Sequence, residues 1–411
     1  MIPKQFVEIT WDDLVALQQS GREEDDTIEF KEGFSGGIDF EALSEQQRNN
    51  AVDGIAKEAI AFLNSRGGDI LIGAKERRND HPVIEELIKL KNVHPIVDRL
   101  GQALSATIEP RQNLLSVRAI TEGDEADGAV VIRVPSSLRA PHRSTRKREC
   151  YVRRGRESVP MSMDEIQDLT LSRSTMRSEQ LEELKSLALE VQLDEVGRAK
   201  LREQRAHVRL VFVPFNKQAV LLSPEVLGAF KGTTPTLQSQ NYKTKNDVGY
   251  RGLHGLWKPI LRGMRNSEHT RGDDREMYYA KELHESGVFL ADFSVVAAFG
   301  NIPDGDRVIH YEWIVGFIAN ALLGIRSATR AAGMPTQGFL TLGYRFDVQT
   351  WLSFGEGFSS EAHKLPHNNG IIPPFEIYGD EQFEEVFCQL QTDICALVGE
   401  NEEYPFIWTS E

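Results

Sequence analysis

The chain has little of several things that would narrow its chemistry at once. It holds three cysteines, Cys150, Cys388 and Cys395, in 411 residues. None forms a CxxC pair or sits in a Cys/His cluster, which excludes a disulfide framework and a zinc ribbon. Cys388 and Cys395, on one helical face, read as buried thiols. No apolar run approaches the roughly 18 residues a transmembrane helix needs, and the start MIPKQFVEITWDDL has no signal-like apolar stretch. The expectation is a cytoplasmic protein with no membrane partner. No GxxxxGK[ST] occurs, so an ATP site has no phosphate cradle, and Gly67-Gly68 reads as a turn. Positive charge is also short: the formal charge of −15 excludes a protein that coats nucleic acid non-specifically. What remains is a globular composition, 40% hydrophobic and 27% charged, long enough for two or more domains at roughly 100–200 residues each.

The missing positive charge is concentrated in one place. From Arg139 to Arg156 the basic residues Arg139, Arg143, Arg146, Lys147, Arg148, Arg153, Arg154 and Arg156 face a single acid, Glu149. An acidic chain with one basic ribbon points to a polyanion groove; a solvated loop and edge strand is the competing reading. Tyr151 alternates with Arg153 and is a candidate to stack on a base.

The acids of interest lie earlier. Thr10–Gln19 reads as a helix with Thr10 as N-cap and acids in its first turn. Thr27–Lys31 reads as a strand with Ile28 and Phe30 on one face and Glu29 and Lys31 on the other. A loop from Gly33 to about Arg48 precedes a buried-face helix over 50–64. Gly67-Gly68 then make a tight reversal, and Asp69–Gly73 forms a second strand that Lys75 and Glu76 leave. Glu24, Glu29 and Glu76 can thereby converge at one sheet edge. Three carboxylates suit one or two hard cations, Mg²⁺ or Mn²⁺, which polarise a phosphate and activate water, and Lys31 can steady developing charge. Acids at strand ends are more often merely solvated.

A polar loop, a helix over 95–105 and a hairpin of 114–120 with 128–135 follow. Then come a strand at Cys150–Arg153 and a helix capped by Ser162 and Glu165. The order of these segments, with the acid five residues ahead of the Glu of EFK, AFLNSRGGDILIGAKE, VIRVPSS and YVRRGRESVPMSMDEI, resembles the Schlafen AlbA-type domain family over residues 10–173. That resemblance implies a prokaryotic Schlafen-like protein with a three-carboxylate nuclease site. Glu24, Glu29 and Glu76 match its positions, although the third is typically Asp, and Glu23 competes with Glu24. It implies a metal-dependent endonuclease acting on RNA, tRNA-like in structure, or on DNA, with a role in defence against phage. One copy of the motif set implies a homodimer that supplies the second lobe. Other relatives are non-catalytic DNA- or RNA-binding regulators, and the family has carried an ATP-binding label.

The fold expected is α+β: a mixed-sheet domain over 1–173, a helical connector over 174–206, and a separate α/β or α+β domain over 207–411. The connector spaces Leu181, Leu184, Ala188 and Val191 like a heptad, but over too few heptads for a true coiled coil. In the C-terminal half, 208–214 and 219–223 read as paired strands, 311–331 as a long helix, 338–346 as a strand and 382–398 as a closing helix. Arg251, His254, Trp257, Lys258, Arg262 and Arg265 read as an amphipathic helix face before they read as an RNA site. The SFGEGF stretch and the His363/His367 pair read as loops.

Overall fold

The computed structural model describes the chain apart from residues 3, 5, 35–36, 78–82, 111–114, 190–205, 216, 218–219, 221, 232–236, 240–255, 272–274, 298–302, 304, 333–335, 355–360, 380–381, 401–405 and 409–411. Two compact units emerge, Met1–Arg177 and Ser178–Glu411, each mixing helices and strands, so the chain is α+β.

The N-terminal unit runs α1 (Trp11–Gln19), β1 (Ile28–Lys31), α2 (Glu45–Leu63), β2 (Gly67–Ile72), β3 (Ala74–Glu76), β4 (Ile84–Leu87) and α3 (Val93–Thr107). It continues with β5 (Ile108–Glu109), β6 (Ser116–Thr121), β7 (Gly128–Pro135), β8 (Arg143–Ser144), β9 (Tyr151–Arg154), β10 (Glu157–Pro160) and the start of α4 (Met163–Leu189). Its central sheet has the order β1-β2-β7-β6, with β1 and β2 parallel and the other pairs antiparallel. On one face Ile28, Phe30, Leu71 and Val131 pack against Trp11 and Leu14 of α1. The Asp13 carboxylate accepts the Thr10 N–H at 2.7 Å and so anchors the start of α1, an end effect worth about 1 kcal/mol.

Helix α2 begins earlier than the sequence suggested, and 45–48 are helical rather than loop. The cause is a reciprocal cap: Gln47 N–H donates to Ser44 Oγ at 3.3 Å, while Gln47 Oε1 accepts from Ser44 N–H at 3.0 Å. Gly67 does need its residue type. Its φ is +82°, and a Cβ there would lie 2.7 Å from the Val134 carbonyl. Ala74–Glu76 does not simply leave the sheet but pairs with Ile84–Leu87. The short β5 pairs with β8 rather than joining the β6–β7 hairpin. Buried Asp69 binds Arg133 through both oxygens, at 2.8 and 2.9 Å, and accepts the Ile2 N–H at 2.7 Å, which ties the chain start to the sheet.

Residues 174–189 of the expected connector continue the helix that Ser162 caps, as α4; residues 190–205 lie outside the described residues. Within the second unit Leu184 and Ala188 are buried and Leu187 O accepts from Arg209 at 3.1 Å. That face of the helix is used within the chain. Val191 lies outside the described residues.

The C-terminal unit contains β11 (Ala206–Pro214), α5 (Pro224–Lys231), β12 (Leu237–Ser239), β13 (Lys258–Ile260), β14 (Gly263–Arg271), β15 (Arg275–His284), β16 (Phe289–Ala297), β17 (Arg307–His310) and α6 (Tyr311–Ala331). The rest are β18 (Gly338–Phe346), β19 (Thr350–Phe354), β20 (Glu361–Lys364), β21 (Asn369–Ile371), β22 (Phe375–Ile377), α7 (Phe383–Ala396) and β23 (Phe406–Trp408). Its main sheet has the order β13-β14-β15-β16-β11-β18-β21, with β22 also on β18. Phe212, Phe289, Phe293, Phe317 and Leu340 share one apolar core with α5, α6 and α7. Strand β11 pairs with β16 and β18, and of the expected partner strand 219–223, Ala219 and Leu221 lie outside the described residues. Strand β11 is buried at every residue and so belongs in the sheet centre, while Val220 N–H bonds Glu285 O at 2.7 Å. The stretch expected as an amphipathic helix is the β13–β14 hairpin; Arg251 and His254 lie outside the described residues. His363 stands on a strand, with Nδ1 3.0 Å from Glu400. Cys395 is buried, but Cys388 is exposed.

Candidate functional site

Parallel pairing of β1 with β2 brings the ends of both strands to one sheet edge. Gly73 N–H bonds Lys31 O at 2.8 Å, and the chain turns there into β3, which carries Glu76. Strand β1 is the edge strand, and Glu24 reaches back so that its Oε1 accepts the Phe30 N–H at 2.8 Å. Burial, then the charge of Glu29, push the Glu24 carboxyl up to about 9. The Phe30 N–H works against this, while Glu76 adds to it by charge and by a side-chain hydrogen bond. Burial and neighbouring negative charge both favour the protonated form of this carboxyl.

Glu29 faces cations. Its Oε1 lies 2.9 Å from Lys31 Nζ and its Oε2 2.7 Å from Arg153 Nη1. Arg153 Nη1 is also 3.0 Å from Glu58 Oε2, its Nη2 donates to Asp25 O at 2.9 Å, and its guanidinium stacks 4.8 Å above the Phe62 ring. Ser158 donates to Glu58, and Lys31 Nζ lies 3.7 Å from Glu58 Oε1. Burial alone would lower Lys31, but the charges of Glu29 and Glu58 outweigh it and raise its pKa above the usual lysine value. The expected acids thus divide, with Glu24 beside Glu76 and Glu29 bound to Lys31 and Arg153. Among the described residues no group of three or more His, Cys, Asp or Glu side chains stands in metal-holding geometry.

Residues of the basic ribbon fall into three kinds. Lys147, Arg148 and Arg156 are exposed, and among the described residues no partner holds their side chains. Arg143, Arg146 and Arg154 are exposed but paired, with Glu109, Asp53 and Glu165 respectively; Arg139 is exposed as well. Arg153 and Tyr151 are corrections to a surface reading, at 7% and 3% exposure. Both point inward from β9 by the period of two, where Arg153 meets Glu29 and Glu58, and the Tyr151 hydroxyl donates to Glu149. Tyr151 is in no position to stack on a base.

Sequence reasoning missed Glu58 and Asn64. Glu58 sits in the run IAKEAIAFLN and looks solvent-facing until Arg153 covers it. Asn64 donates to His142 O at 2.8 Å and Tyr151 O at 2.9 Å and accepts the His142 N–H at 2.6 Å, so it fastens the ribbon to the end of α2. The His142 ring is buried, which pushes it down to about 4, and its Nε2 lies 2.7 Å from Ser137 Oγ. It is a neutral structural group.

No curated protein matches the chain. Among solved structures, the DIP2311 protein from Corynebacterium diphtheriae is 15% identical with a TM-score of 0.26, over 39% of this chain and 28% of that one. The N-terminal domain of a protein from Nitrosomonas europaea, described as related to the ATP-dependent DNA helicase RecG, is 17% identical with a TM-score of 0.25. That match covers 33% of this chain and 81% of that one. No helix among the described residues is long and apolar enough to cross a membrane. Residues 24–162, which hold all the acids and basic residues of the site, match the Schlafen, AlbA_2 family model, so the N-terminal part of the chain carries the family resemblance read from its sequence.

Proposed function

We propose that the protein binds nucleic acid and that its N-terminal unit is a divalent-metal-dependent endoribonuclease for structured, tRNA-like RNA. The observation that carries this reading is the meeting of Glu24 and Glu76 beside Glu29 and Lys31 at the ends of two parallel strands. Oxygen-only donors crowded together fit a hard cation, and Mg²⁺ is usually held by one or two carboxylates with water and substrate phosphate completing the shell. Glu24 and Glu76 are the pair that would hold Mg²⁺ or Mn²⁺. When bound, such an ion polarises a phosphate and makes its water acidic. Glu29 and Glu58 keep Lys31 charged and aimed, so that Lys31 can donate to a phosphate oxygen as charge grows there. Arg153 locks Glu29 in place. Lys147, Arg148 and Arg156 would hold flanking phosphates, contacts that position a strand without reading it. A homodimer, supplying a second lobe, belongs to the same reading, and light scattering on the full chain tests it.

A second reading is a non-catalytic nucleic-acid binder, favoured by Glu29, whose oxygens are already engaged by Lys31 and Arg153. One experiment separates the two. Total tRNA is incubated with the full chain and Mn²⁺ beside Glu24→Gln, a change that retains the shape of the side chain and removes its carboxylate. Cleavage by the wild type, lost in the variant while tRNA binding stays, supports the nuclease. Intact tRNA retarded equally by both proteins supports the binder.

A further inference from the structure

Apart from the acid centre, the N-terminal unit has a cavity of about 710 Å³ at the open end of the β9–β10 hairpin. None of Glu24, Glu29, Lys31, Glu76 or Arg153 lines it. Its size falls within the roughly 300–1,000 Å³ of small-molecule sites. Its lining includes apolar Pro110, Met161, Met163 and Ile166 together with Arg148, Glu149 and the Arg143–Glu109 ion pair. Met163 is 67% exposed at the mouth, an adaptable thioether open to solvent.

Arg148 is the telling residue. Its φ is +57°, in the left-handed region that a side chain disfavours by roughly 1–2 kcal/mol. The turn enforces this: Arg148 N–H bonds Ser144 O at 2.8 Å, Ser144 N–H bonds Glu149 O at 3.0 Å, and Lys147 N–H bonds Ser144 Oγ at 3.2 Å. Nothing among the described residues pairs with its guanidinium. Strain held by such over-determination gathers at ligand sites, and here it sets an unpaired cation on the wall of a half-apolar cavity.

We propose that this cavity takes one unstacked nucleotide. Its base would lie on the Met and Pro surface, with an exocyclic amine toward the Glu149 carboxylate and the phosphate on Arg148. A carboxylate accepts from such amines, so adenine, guanine and cytosine suit the site better than uracil. The inference rests on the nucleic-acid reading when the nucleotide belongs to a strand. A free nucleotide offers the same chemistry.

The test uses the full chain and two single-stranded RNA oligomers that differ only by a central adenosine or an abasic site, with adenosine monophosphate as a separate ligand. Wild type is expected to bind the adenosine oligomer about 10-fold more tightly, the equivalent of about 1.4 kcal/mol. Met163→Asp, at an exposed first turn where an acid suits the helix, should erase that preference. Arg148→Gly relieves the backbone strain and so folds, yet should weaken binding of the adenosine oligomer. Equal affinity for both oligomers, with no binding of adenosine monophosphate, overturns the inference while leaving the nucleic-acid reading standing; so does a preference that survives Met163→Asp. If neither oligomer binds but adenosine monophosphate does, and Met163→Asp abolishes it, the pocket stands with a free nucleotide as its source. Binding of none of the three overturns the inference, and retardation of tRNA by the same protein shows separately whether the nucleic-acid reading stands.

Discussion

Both units bury charge, and they do so in opposite ways. In the C-terminal unit Arg209 binds Asp292 at 2.6 and 3.0 Å, directly across from it on β16. Arg265 pairs with Glu282 opposite it on β15, and its Nη2 comes within 3.8 Å of Asp292. Two guanidinium groups meet two carboxylates. Burial alone would raise Asp292, but Arg209 and His207 hold it far below the usual range. In the N-terminal unit Glu29 and Glu58 meet Lys31 and Arg153, while Glu24 stands beside Glu76, its carboxyl pushed up by burial and by the charge of Glu29. A balanced set is complete in itself, whereas a set with spare carboxyl groups has room for a cation from outside. Stability in the first place and ligand chemistry in the second follow from that difference.

Asp292→Asn should break the comparison most. It leaves Arg209 buried without its counter-charge, and removing one partner of a buried pair costs about 3–5 kcal/mol. Hydrogen exchange read by mass spectrometry on the full chain should show the loss in peptides of the second unit. Glu24→Gln, which keeps an oxygen to accept the Phe30 N–H, should leave exchange in the first unit unchanged; equal losses in the two variants would erase the contrast between the units.

Buried bases extend the contrast to pH. Lys281 is fully buried, donating to Phe230 O at 2.8 Å and Lys231 O at 3.1 Å at the end of α5, and burial pushes it down to about 7 from 10.5. Between these values the unfolded chain carries a proton that the folded chain lacks. The second unit should therefore gain stability as pH rises from about 7 to about 10.5, a slope that Lys281→Met abolishes. His142, at about 4 in the fold against 6.5, acts in a lower window: the first unit should lose stability as pH falls from about 6.5 to about 4. His142→Gln should flatten that part of the curve. Urea denaturation of wild type and variants across pH checks both signs.

The smallest effect concerns local structure. Ser44→Ala removes the acceptor for the Gln47 N–H at the start of α2 and should cost about 1 kcal/mol; no measurable change would mean that the cap contributes little to the helix that carries Glu58.

Local rules made part of this legible. Thr10 and Asp13 signalled α1, the alternation in IEFK placed Ile28 and Phe30 in the core, and the unbroken apolar face of 311–331 marked α6. What depended on distant partners was hidden. Glu58 reads as a surface acid because Arg153, its partner, lies far along the chain, and Arg153 reads as a phosphate contact for the same reason. The β3–β4 pair is too short to show alternation. Residues 219–223 have strand-like composition, but the partners of β11 are β16 and β18, which local composition does not name. At the site, sequence spacing brought Glu24 and Glu76 to mind as ligands, but it could not reveal that Glu29 is engaged by two cations.

The most direct test of the central claim is a calorimetric titration of Mn²⁺ into the full chain after removal of bound metal, with Glu24→Gln, Glu76→Gln and Asp292→Asn in parallel. Mn²⁺ should bind the wild type, binding should be lost in the Glu24 and Glu76 variants, and Asp292→Asn should keep it under conditions where the first unit remains folded. No binding to the wild type, or binding untouched by Glu24→Gln and Glu76→Gln, would contradict it.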